Sequence, residues 1–68
     1  MEFVYLLVVD GCEWEDIVIF LSKEDAVKES IKNPKSRIEI FCKNDKGYVP
    51  TYNYYQNGEY LKKTSYPT

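Results

Sequence analysis

Short apolar runs alternate with polar punctuation along this chain, and the runs have the length of strands. Residues 3–9 are apolar at every position and largely β-branched or aromatic, which predicts a first strand. A run with no polar position predicts a strand that is central in its sheet or covered on both faces. Asp10-Gly11 is a turn signal. The acidic stretch from Cys12 to Asp16 reads either as a loop or as the beginning of the next strand, and residues 17–21 as that strand. The two strands then form a hairpin with a loose, acidic connection.

Ser22 has the character of a helix N-cap, whose side-chain oxygen accepts a bond from an orphan amide. Glu24 and Asp25 follow in the first turn, where negative charge complements the helix dipole. The helix is expected from Lys23 to Lys32 and is stopped by Asn33-Pro34, because a proline disfavours helix in the residue before it. Its apolar face comprises Ala26, Val27 and Ile31, with Ser30 on its edge. The i, i+4 spacing places Val27 and Ile31 together. So narrow a face covers one side of a sheet and makes no core by itself.

Residues 37–43 alternate cleanly, with Ile38, Ile40 and Cys42 on one side and Glu39, Phe41 and Lys43 on the other. Asn44-Asp45-Lys46-Gly47 forms a turn, with glycine where a left-handed residue is wanted. A fourth strand spans residues 48–55, and Pro50 within it implies an edge position, a bulge or a break. Asn57-Gly58 is the strongest hairpin signal and pairs Gln56 with Glu59 and Tyr55 with Tyr60. The fifth strand, residues 59–63, carries lysines that blunt an edge, and residues 64–68 read as a frayed tail. The expected architecture is α+β: a single, mainly antiparallel sheet of four to five strands with one helix on one face, in the order β-β-α-β-β-β.

Composition narrows the chemistry. Sixty-eight residues make one small domain, and an aromatic content of 16% excludes a disordered tail. There is no histidine, hence neither the commonest general acid–base group nor the commonest metal ligand. Two cysteines, Cys12 and Cys42, build no zinc knuckle and no disulfide framework, and they suit a reducing cytoplasm. The three glycines lie far apart and form no phosphate loop. No apolar run approaches the roughly 20 residues of a membrane helix, and the start of the chain has no secretory pattern. The chain therefore reads as a non-enzymatic cytoplasmic protein without cofactor or metal.

The net charge of −2 conceals an asymmetry. Residues 1–25 hold seven acidic side chains and one lysine, whereas residues 26–68 hold four acidic and eight basic ones.

The strand over residues 3–9, the strand over 17–21 and the helix start Ser22-Lys23-Glu24-Asp25-Ala26 resemble a family of small bacterial and phage domains. In that family a "VYLL"-type strand is followed by a strand ending in a Ser-x-x-x-Ala helix start. The resemblance covers about residues 3–43. It implies the same fold and a phage or viral accessory protein, and it brings no activity and no catalytic residues. The tyrosine-rich hairpin after Tyr48 departs from the family pattern.

Two constellations are candidate interaction surfaces. Asp10, Glu13, Glu15 and Asp16 surround Trp14, a large aromatic among like charges that suits a basic protein partner. The competing reading puts Trp14 in the core with the carboxylates in water. Tyr48, Tyr52, Tyr54, Tyr55 and Tyr60 form the second set, with Tyr48, Tyr52 and Tyr54 expected on one face of a regular strand. Lysines near them suggest stacking on single-stranded nucleic acid, against which the acidic pI and single arginine weigh. The competing reading there is an aromatic ladder that stabilises a small sheet.

A domain this small buries only about 60% of its unfolded surface. Its aromatic side chains outnumber what one helix covers, which favours a homodimer or a partner complex. The functional expectation is a protein-interaction module, such as a phage or viral inhibitor that blocks a host protein. The alternatives are an assembly protein acting through homo-oligomerisation and a weak single-stranded nucleic-acid binder.

Overall fold

The computed structural model describes residues 2–62. Five strands form one antiparallel sheet: β1 (Phe3–Val8), β2 (Val18–Phe20), β3 (Arg37–Asn44), β4 (Gly47–Gln56) and β5 (Glu59–Lys62), in the spatial order β2-β1-β3-β4-β5. One helix, α1 (Lys23–Lys32), packs against the sheet. This is the α+β architecture expected. β2 and β3 are each antiparallel to β1 and therefore parallel to one another, with α1 crossing between them and β1 lying in the middle. No helix among the described residues is long and apolar enough to cross a membrane. The tail at residues 64–68, and Lys63 at the end of the fifth strand, lie outside the described residues.

Register places one row of side chains across all five strands: Val18, Leu7, Ile38, Tyr55 and Tyr60. Beside it run Phe20, Tyr5 and Ile40. These rows face α1, and the core is Tyr5, Ala26, Ile38 and Ile40, with Leu7, Phe20 and Tyr55 packed against it. The alternation read from residues 37–43 therefore holds, with Ile38 fully buried and Ile40 nearly so. Burying a side chain such as Ile38 contributes about 1.5–3 kcal/mol.

The helix begins as expected. Ser22 Oγ accepts the Asp25 N–H at 3.3 Å, and Asn33 closes the other end by donating its N–H to the Glu29 carbonyl at 3.0 Å. The buried face is different from the one expected. Ala26 and Ser30 are fully buried, Val27 is half-buried and Ile31 is 55% exposed. Small residues at the contact let the helix lie close to the sheet, and a serine is tolerated there because its hydroxyl is satisfied twice. Ser30 Oγ donates to the Val27 carbonyl at 2.7 Å and accepts the Gly58 N–H at 2.9 Å. Ile31 leans instead on the β4–β5 turn, where a Cβ at Gly58 would come within 3.0 Å of its Cγ1.

That turn forms as Asn57-Gly58 predicts, both residues having positive φ (52° and 82°). Tyr55 and Tyr60 face each other, ring centroids 5.5 Å apart. β4 itself is irregular. Pro50 lies opposite Phe41 of β3 and outside the stretch Asn53–Gln56 that pairs with β5, so among the described residues it has a strand partner on one side and stands beside a bulge. The register shifts between Glu39 and Phe41. Thr51 Oγ1 satisfies the irregularity by donating to the Ile40 carbonyl at 2.8 Å and accepting the Asn53 N–H at 3.1 Å. Tyr52 between them takes φ 68°.

Candidate interaction surface

The segment joining β1 to β2 is built, not loose. Cys12 donates its N–H to the Val9 carbonyl at 2.9 Å. Residues Trp14–Asp16 make one 3-10 turn. The Glu13 N–H meets Asp16 Oδ2 at 3.1 Å, the Asp16 N–H returns to the Glu13 carbonyl at 3.0 Å, and the Ile17 N–H reaches the Trp14 carbonyl at 3.2 Å. The Asp16 side chain and two backbone bonds thus close the turn locally, and the acidic run forms a turn and not the start of a strand. β2 begins only at Val18 and ends at Phe20, shorter at both ends than the 17–21 expected.

Trp14 stands on this turn with 87% of its surface exposed, which excludes the core reading. The four carboxylates around it divide in role. Asp10 pairs with Arg37 at 2.9 Å, and Arg37 also binds Glu39. The guanidinium is pushed above its ordinary range by its bond to Glu39, partly offset by burial and reinforced by Asp10. Asp16 turns back on the backbone. Glu13 and Glu15 have no ion-pair partner among the described residues.

The exposed surface continues into residues that the sequence reading treated only as a strand. Val18, Ile19 and Leu21 are 45%, 60% and 80% exposed. β2 is an edge strand of three residues, so nothing on its outer side covers them among the described residues. A signal was present in the sequence: a five-residue run apolar at every position has one apolar set more than a single covered face accommodates.

The tyrosines do not form one surface. Tyr55 and Tyr60 lie on the helix side, while register sets Tyr48 opposite Lys43 and Tyr54 opposite Glu39, on the side away from the helix. Tyr52, at the bulge, is 55% exposed and is not in the regular alternation that would have joined it to Tyr48 and Tyr54. The Tyr48 hydroxyl donates to Glu2 Oε1 at 3.0 Å, and that bond chiefly holds its pKa above the ordinary tyrosine value. Lys43 reaches the same carboxylate oxygen at 3.6 Å.

The helix leaves part of its own side of the sheet open. A hollow of about 320 Å³ lies there between Phe3, Tyr5, Ile40, Tyr55 and Tyr60, with Lys23 at its rim. Tyr5 borders it and has its pKa raised by burial first and by neighbouring Tyr55 second. On the opposite side, Ile19, Leu6, Glu39, Tyr54 and Leu61 form a row across all five strands. β1 is thus apolar on both sides although the helix covers one.

Cys12 and Cys42 are both half-buried free thiols. No group of three His, Cys, Asp or Glu side chains among the described residues is placed to hold a metal ion.

The chain matches no protein-family model, and searches of curated proteins and of solved structures find no match.

Proposed function

We propose that this protein is a non-enzymatic protein-interaction module that works by occupying the surface of another protein. The observation that carries the reading is Trp14, 87% exposed on a locally closed acidic turn. Exposing an indole to water is unfavourable, and tryptophan is the residue type most enriched at binding centres. The carboxylates of Glu13 and Glu15 beside it select a basic surface and steer the encounter. Simple steric blocking, as by a phage or viral inhibitor of a host protein, needs no catalytic group and suits a chain without histidine. A cytoplasmic setting agrees with its two free cysteines.

The test is capture from extracts of the native host by the wild-type chain and by the variant Trp14→Ala/Glu15→Lys. Captured proteins should be lost with the variant while its circular dichroism and urea midpoint are retained. A variant that captures the same proteins overturns the reading.

One observation favours a second reading, homo-oligomerisation. The row Ile19–Leu6–Glu39–Tyr54–Leu61, apolar except for Glu39 at its centre, offers a sheet face that a second copy would cover. Light scattering of the wild type and of Tyr54→Ala decides it: a dimer mass lost in the variant supports it, and a monomer mass in both excludes it. The nucleic-acid reading is weakened because the tyrosines are divided between the two sides of the sheet.

A further inference from the structure

We infer that the outer edge of β2 accepts an extended segment of a partner protein as a sixth strand, one whose apolar centre is bracketed by lysine or arginine. The inference rests on the interaction reading above and names the mode and chemistry of the contact. β2 is one of two sheet edges, and the two are treated differently. β5 carries the exposed charges Glu59 and Lys62, a usual means of preventing strand addition. β2 is protected only by its shortness, three residues: residues 17–21 contain no charge, proline or glycine, and Val18, Ile19 and Leu21 stand in solvent. An edge so exposed is a template for backbone pairing.

Charge determines what pairs there. Between residues 13 and 25 there are five carboxylates and one lysine, and they lie at the two ends of the apolar run. Glu13, Glu15 and Asp16 precede it, and Glu24 and Asp25 follow it in the first turn of α1. A strand laid along β2 therefore meets apolar side chains in its middle and negative charge at both ends. A second copy of β2 is a poor occupant, because either orientation brings carboxylates against carboxylates.

The probe is the end-blocked peptide Lys-Lys-Val-Ile-Val-Lys-Lys, read by amide hydrogen exchange. Pairing should slow exchange at outward-facing amides of β2 and its flanks by about tenfold or more at saturation. Glu-Glu-Val-Ile-Val-Glu-Glu should bind at least about tenfold more weakly, as should the basic peptide N-methylated at alternate residues. Ile19→Lys, at an exposed position, should abolish the protection without changing the urea midpoint. Protection absent from β2, equal binding of the acidic peptide, or self-association of the free chain through β2 each overturns the inference. If Trp14→Ala/Glu15→Lys loses its captured proteins while β2 stays unprotected, strand addition fails and the interaction reading survives.

Discussion

Ser30 Oγ on α1 accepts the backbone N–H of Gly58 at 2.9 Å, tying the last turn of the helix to the tip of a hairpin 28 residues later in the chain. Ser30 is fully buried, so the bond is made where water does not replace it. Together with Ile31 against Gly58, it holds the β4–β5 turn against the helix.

Ser30→Ala leaves the Gly58 N–H unpartnered and should cost about 1–3 kcal/mol of stability. Urea denaturation measures the loss, and exchange of the Gly58 amide should quicken with it. Gly58→Ala should also destabilise, by about 1 kcal/mol or more, because the position has φ 82° and the new methyl meets Ile31.

Ile38→Ala removes the largest fully buried side chain and should cost about 2–5 kcal/mol. A small domain has little reserve against such a loss. Thermal unfolding should show a lowered midpoint or no cooperative transition.

These two sites show what was legible in the chain and what was not. Ile38 and Ile40 announced themselves by strict alternation, and Asn57-Gly58 by turn chemistry. Ser22 and Asn33-Pro34 marked both helix ends. Ser30 did not, because a serine is buried only where two partners meet it, and one of them lies 28 residues away. The bulge at Thr51–Asn53 was hinted at by Pro50, but its effect on the faces of Tyr48, Tyr52 and Tyr54 depends on a register shift. Trp14 was legible as a candidate and not as exposed, since only the closing bonds of its turn decide that.

Alkaline pH should weaken the fold through Tyr5. Burial raises its pKa above the ordinary 10.0 in the folded state, so the phenolate is disfavoured there. The stabilisation is fully present below the unfolded value and is lost as pH rises through the folded one. The urea midpoint should therefore fall above about pH 10, and Tyr5→Phe should reduce that fall. In a phenolate titration, Tyr5 and Tyr48 should both ionise above the ordinary tyrosine value of 10.0.

Asp10→Asn should change stability by less than about 1 kcal/mol, because its pair with Arg37 is held at the surface. Chemical denaturation at low and high salt checks this, and a larger loss would mean that the pair anchors the acidic turn.

Trp14 is the chain's single tryptophan, so its fluorescence reports the proposed contact directly. The free protein should emit as a solvent-exposed indole, readily quenched by acrylamide and little changed by urea. Titration with a captured partner should shift the emission to shorter wavelength, protect it from the quencher, and do so more weakly as salt rises. Saturating binding that leaves Trp14 emission and quenching unchanged would contradict the account.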